Sequence, residues 1–171
     1  SEPQKVIKEY LSQTDKLSES PIRKRADRTG KGNVLLINLK FLGGDGTGIY
    51  SPGEDILVEF QVKSKYKVTV KRRLMLSIGT ISGTGLIGCD SKTKGGDLTV
   101  KNGVQNYFTC RIISPPLKDG DFYINVAIFE NKDPEDWIIN AAKFTVQTGR
   151  EAATKTNTDY PISVNYQWET T

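Results

Sequence analysis

No histidine occurs anywhere in the 171 residues. This excludes a His-based catalytic triad, a His metal site and the commonest general acid/base near neutral pH. Carboxylate-only or lysine-based chemistry stays open. Cysteine is nearly absent as well. Cys89 and Cys110 form no metal or redox motif. Both sit in alternating apolar runs and read as reduced core residues. No apolar run approaches the ~20 residues a membrane helix needs. The opening "SEPQKVIKEYL" lacks the basic-then-apolar plan of a signal peptide. The glycine-rich stretches "GGDGTG" and "GTISGTGLIG" lack the GxxxxGK spacing of a phosphate loop and read as turns, where glycine supplies positive φ. The net charge of +4 is mild. It is compatible with an anionic partner but does not call for nucleic acid.

Against these absences stands ordinary globular material, 36% hydrophobic and 26% charged, enough for one domain with a real core. Residues 3–18 have helical spacing, with Val6, Ile7, Tyr10 and Leu11 on one stripe and Pro3 in the first turn. So short a helix needs a surface to dock on. Residues 19–32, "ESPIRKRADRTGKG", hold no apolar periodicity and read as a solvated basic tether.

From residue 33 the texture changes to short alternating runs separated by turn signals: "GGDG", "SPGED", "ISGTG", "KGGD", "KNG", "KDGD" and "NKDPED". About eight strands at this spacing predict an all-β fold, an immunoglobulin-like antiparallel β-sandwich with a short N-terminal helix and linker. In "DFYINVAIFE", Phe122, Ile124, Val126 and Ile128 share the core face, leaving Tyr123, Asn125 and Ala127 on the other. In "RRLMLSIGTI", Leu74, Leu76 and Ile78 point inward and Met75, Ser77 and Gly79 outward. Phe122 stands where many such sandwiches carry a corner tyrosine. In "DWIINAAKFTV", Asn140 shares parity with the core-like Phe144, and a bulge there would rescue the pattern and flip Trp137.

The ordered series of these elements resembles the C-terminal domain of Wzt, the ATPase subunit of ABC transporters that export O-antigen polysaccharides in Gram-negative bacteria. The matching stretches are "SEPQKVIKEYL", "NVLLINLKFLGGDG…YSPGEDILVEF", "LMLSIGTISGTGLIGCDS", "GVQNYFTCRIISPPLKDGDFYINVAIFE", "KFTV" and a late aliphatic strand with Trp168. The resemblance implies that residues 1–32 are a helix and basic linker from a nucleotide-binding domain absent from this chain, and that 33–171 form a carbohydrate-binding domain. It implies a non-catalytic module that recognises the modified nonreducing end of a polysaccharide, capped by methyl, phosphate or an acidic sugar, and so licenses its export. No cofactor is expected here, since ATP would bind the absent domain. The context implies a cytoplasmic location at the inner face of the inner membrane, a membrane subunit contacted through the absent domain, and a homodimer. A swap of the terminal strand "ISVNYQW" across the hinge "QTGREAATKTNTDYP" would make that dimer.

Sugar recognition needs flat aromatic faces, planar polar groups and a concavity. If the third, sixth and seventh predicted strands share a sheet, its outer face offers a floor of small residues, Ser77, Gly79, Asn125, Ala127 and Ala141. Arg73, Met75, Tyr123 and Trp137 are the taller flanks. With Tyr123 outward, its removal is expected to affect binding and hardly the folding. The opposite sheet is a rival, through Tyr107 and Arg111, whose guanidinium suits an anionic cap. The loop "GCDSKTKGGD" is the third candidate. Two other functions compete: an immunoglobulin-like protein-interaction or adhesion module, and a carboxylate-only glycosidase. The latter needs two acids roughly 5–10 Å apart across a cleft. Its nominal pairs are Asp90 with Asp136 and Asp119 with Asp121, the second pair reading as turn-formers.

Overall fold

The computed structural model describes residues 2–43, 46–149 and 161–162. Among the described residues one α-helix, α1 (Glu2–Ser18), precedes nine strands: β1 (Val34–Leu42), β2 (Ile49–Tyr50), β3 (Ile56–Ser64), β4 (Val70–Gly79), β5 (Gly85–Asp90), β6 (Leu98–Val100), β7 (Asn106–Ile112), β8 (Gly120–Glu130) and β9 (Asp133–Val146). The strands form two sheets, as the turn spacing predicts. One has the order β1-β3-β7. The other runs β2-β9-β8-β4-β5, with β6 added on β4. All pairings are antiparallel except the two-residue β2 against β9.

Alternation builds the core. Ile56, Val58, Phe60 and Val62 of β3 are buried and face Leu76 and Ile78 of β4 with Phe122, Ile124, Val126 and Ile128 of β8 across the sandwich. Phe122, in the corner-tyrosine position, instead stacks on Phe144 at 5.5 Å, and Tyr50 meets Phe144 edge-on at 6.0 Å. The third, sixth and seventh predicted strands (β4, β8 and β9) do share a sheet.

The expected bulge in β9 is present. Ile124 pairs with Ala142 but Val126 with Ile138, so β9 carries extra residues there, and Asn140 takes φ +50°. The bulge does not flip Trp137 as expected: it adds two residues to β9, so the parity is kept, with Phe144 and Ile138 inward and Trp137 outward. It also frees backbone carbonyls, and these are claimed by Arg25. Its guanidinium donates to the carbonyls of Ile139 and Asn140 at 2.8 Å each and of Leu17, in the last turn of α1, at 3.0 Å.

Residues 19–32 therefore differ from the expected tether. Ile22 and Arg25 are buried. Arg28 pairs bidentately with Asp136 (2.9 and 2.7 Å) and donates to the Leu36 carbonyl, while the Leu36 N–H donates to the same carboxylate. Thr29 exchanges two backbone hydrogen bonds with Trp137. A basic run without apolar periodicity can still pack when its guanidiniums meet orphaned carbonyls and a buried carboxylate. Hydropathy does not register that fit.

The helix docks, but of its predicted stripe only Leu11 takes part. Leu11 and Asp15 are half-buried and Ser18 buried, whereas Val6, Ile7 and Tyr10 stay exposed. Only the C-terminal half of α1 lies on the sheet. The strand "ISVNYQW", proposed for a swap, lies outside the described residues beyond Ile162. Ile162 itself bridges Leu117, and the Lys118 N–H donates to the Pro161 carbonyl.

Candidate carbohydrate site on the outer sheet face

Pairing registers place the outward side chains of the larger sheet in rows that cross the strands. One row runs Asp90, Met75, Ala127, Trp137. The next runs Gly88, Ser77, Asn125 and then the β9 bulge. A third runs Gly79, Tyr123, Lys143. The sheet order brings Ser77, Asn125, Arg73, Trp137 and Tyr123 together on one face, as the sequence suggests.

Their environments differ sharply. Tyr123 points outward but is only 2% exposed, because α1 covers it. Its hydroxyl donates to the Asp15 carboxylate at 2.5 Å, and Lys143 donates to the same carboxylate at 3.2 Å. Burial and the Asp15 hydrogen bond push the Tyr123 phenol well above its usual range, and Asp15 is held low chiefly by that same bond. Tyr123 is thus not an open stacking platform. The expectation that it is free to be removed without cost to folding is corrected by the helix above it.

The second row supplies the floor, but Ala141, expected there, is buried in the core, because the β9 bulge lies just before it. Asn125 donates to Ser77 Oγ at 3.2 Å and accepts from the Asn140 N–H at 2.8 Å. Both side chains are therefore oriented, and Gly88 beside them adds no bulk. The exposed flank is aromatic and charged. Trp137 is 43% exposed. Its ring lies 6.4 Å from Phe129, and Arg73 sits over Phe129 at 5.9 Å. Arg73 forms a two-pronged ion pair with Asp90, which orients the guanidinium across β4 and β5. Phe129 is the member that sequence reading missed. Its place after Ile128 in the alternation was the available signal. The result is a shallow trough, with α1 on one side, Trp137, Phe129 and Arg73 on the other, and small polar residues between.

The rival candidates lie elsewhere. Tyr107 and Arg111 are on the outer face of the small sheet, opposite Gln61 and Leu57. Arg111 is paired with Asp55, at 2.5 Å, and the Tyr107 hydroxyl donates to Gln105. The acid pairs nominated for a glycosidase do not flank a cleft. Asp90 faces outward beside Met75, whereas Asp136 is inside the sandwich opposite Ile128. Asp119 accepts from the Thr148 N–H and hydroxyl, and Asp121 from Thr145 and Lys143. An open recess of about 430 Å³ along α1 is formed by side chains of that one helix, among them Lys5, Glu9 and Lys16. It brings no second element to a ligand.

These features define a two-sheet β-sandwich domain with a solvent-facing trough on its larger sheet. The sequence model of the Wzt C-terminal domain family matches residues 25–158, and the chain belongs to that family. The crystal structure of the C-terminal domain of Wzt superposes with a TM-score of 0.68 at 15% identity, covering 92% of this chain and 96% of that one. This likeness establishes the fold. Weaker superpositions reach a β-glucuronidase from glycoside hydrolase family 2 (TM-score 0.44, 16% identity, 58% of this chain and 10% of that one). They also reach the Pseudomonas fluorescens alkylpurine DNA glycosylase AlkC bound to DNA containing an abasic site analog (0.48, 16%, 68% and 31%). Neither bears on function. None of the curated proteins compared matches the sequence. The match beginning at residue 25 agrees with the packing of Arg25 and Arg28 on the sandwich.

Proposed function

We propose that this domain binds the modified nonreducing end of an O-antigen polysaccharide on the outer face of its larger sheet and acts within an ABC exporter without catalysing a reaction itself. The observation that carries the site is the half-exposed Trp137 standing beside Ala127, Asn125 and Ser77. A flat aromatic next to small, oriented polar side chains fits the C–H patches and hydroxyls of a pyranose. Arg73, Phe129 and Asp90 extend the flank and would meet the cap. ATP belongs to a nucleotide-binding partner domain, and a homodimer fits the two-fold plan of such transporters.

Calorimetry against glycans that differ only in their terminal cap tests this reading. Trp137→Ala should weaken binding of the cognate glycan by about 1–3 kcal/mol. Arg111→Ala should leave it unchanged. Loss with Arg111→Ala and retention with Trp137→Ala would move the site to the small sheet. Binding of no glycan, with capture of a protein ligand instead, would favour the interaction-module alternative.

A further inference from the structure

The charge of the sandwich is concentrated at one end. The antiparallel registers bring together the segment before β1, the β3–β4 loop, the β6–β7 loop and the β8–β9 turn. Lys65 and Lys67 lie in the β3–β4 loop, Lys101 and Lys132 in the other two connections, and Lys63 and Lys71 on the adjoining strand ends. All six are exposed, and among the described residues none is ion-paired. The acids at this end are already engaged: Glu130 and Asp133 by Lys31, and Glu135 by Arg72. The opposite end carries Glu54, Asp55, Asp119 and Asp121 together with Arg111, Lys118 and Lys143, of which Arg111 pairs with Asp55 and Lys143 with Asp121. Among the described residues, the first end thus gathers six lysines without an ion pair.

Two exposed apolar side chains stand among these lysines. Val68 is 64% exposed in the β3–β4 loop and Val104 is 51% exposed in the β6–β7 loop. The loops are tied together, since Asn102 donates to the Lys67 carbonyl at 3.1 Å. The second loop is also held from within. Buried Asn106 accepts from the Lys101 N–H at 2.8 Å and donates to the carbonyls of Lys101 and Val104. Val104 is therefore presented by a braced turn.

We propose that this end of the sandwich docks on an anionic phospholipid surface, with Val68 and Val104 entering the headgroup boundary and the lysines facing the lipid phosphates. Charge complementarity selects an anionic partner, with each lysine near such a surface strengthening binding about fivefold. The valines select a bilayer over a soluble polyanion, because phosphate chains offer nothing to apolar loop tips. No described helix is long and apolar enough to span a membrane, so the contact is peripheral. The trough lies on a sheet face rather than on this end, so docking leaves it open.

The test is sedimentation of the chain with phosphatidylcholine vesicles containing or lacking about 30% phosphatidylglycerol, at low salt and at about 0.5 M salt. Binding to the anionic vesicles, abolished by high salt, is expected. The triple variant Lys65→Glu/Lys67→Glu/Lys101→Glu should bind at least about 100-fold more weakly. The double variant Val68→Ser/Val104→Ser keeps the charge and should lose about tenfold. All five positions are on exposed loops, and an unchanged melting temperature confirms folding. Equal binding to neutral vesicles, or undiminished binding by the triple variant, would overturn the proposal. Undiminished binding by the serine variant, with matching affinity for a soluble oligonucleotide, would assign the patch to polyanions instead.

Discussion

The Tyr123 hydroxyl donates to the Asp15 carboxylate at 2.5 Å, and this contact seats α1 on the outer face of the larger sheet. A residue that strand alternation places toward solvent is thereby buried. Tyr123→Ala should then destabilise the fold by about 3 kcal/mol, in the range of large-to-small changes at covered aromatics. Tyr123→Phe, which removes only the hydrogen bond, should cost about 1 kcal/mol. Urea denaturation of the two variants gives both numbers. Equal, negligible losses would mean that the helix does not cover the ring in solution.

Gly30 has φ +129°, and a Cβ there would lie 2.5 Å from the backbone carbon and oxygen of Glu135. Neither backbone can yield, because Gly32 also donates to the Glu135 carbonyl and Thr29 pairs with Trp137. Gly30→Ala should lift the 25–32 segment off β9 while the sandwich persists. Trypsin should then cleave at Arg25 and Arg28 early in the variant and late in the parent chain, as followed by mass spectrometry.

Glu135 and Arg72 form a buried ion pair at 2.9 Å, and Tyr66 and the Asn33 N–H also donate to the carboxylate. Burial pushes the Glu135 carboxyl up, but these donors together outweigh it and hold it below 4.5. A carboxyl lowered by folding stabilises the native state above its unfolded value, and that share is lost as pH falls through the folded value. Asp136 behaves oppositely. Burial raises it above 3.8, so its contribution is largest in acid and declines as pH rises through its folded value. Glu135→Ala should cost about 3 kcal/mol at neutral pH, since the buried Arg72 loses its buried partner and keeps only the half-exposed Glu130, at 2.9 Å. Glu135→Gln should flatten the loss of stability below about pH 4.5. Denaturation curves from pH 7 to pH 3 resolve both effects.

Cys89 on β5 and Cys110 on β7 meet across the open side of the sandwich, and both are half-buried. The Cys110 hydrogen bond draws the Cys89 thiol down to about 7 against burial, while the same bond pushes Cys110 up. Iodoacetamide should label Cys89 ahead of Cys110. Cys110→Ala should slow the labelling of Cys89. Peptide mapping distinguishes the two sites, and preferential labelling of Cys110 would contradict the assignment.

Alternation and turn chemistry determine a great deal on their own. The period of two in "DILVEFQVK" and "DFYINVAIFE" selects the core faces. Glycine, Asp-Gly or Asn-Lys-Asp-Pro turn signals mark most of the breaks, though they do not announce the short β2 and β6. The parity conflict at Asn140 announces a bulge. These are local properties, written in neighbouring residues, and Ser77, Asn125 and Trp137 reach one face by them once the sheet order is known. What covers that face is a long-range matter. Asp15 reaches Tyr123 across 108 positions, and Arg25 reaches Asn140 across 115. An arginine in a basic run looks the same whether it is solvated or plugs the carbonyls of a bulge, because the difference resides in the geometry of the acceptors and not in its neighbours along the chain. Tertiary packing alone therefore decided that the basic segment is part of the sandwich. It also decided that Tyr123 is a helix seat, and that the exposed aromatic of the trough is Trp137.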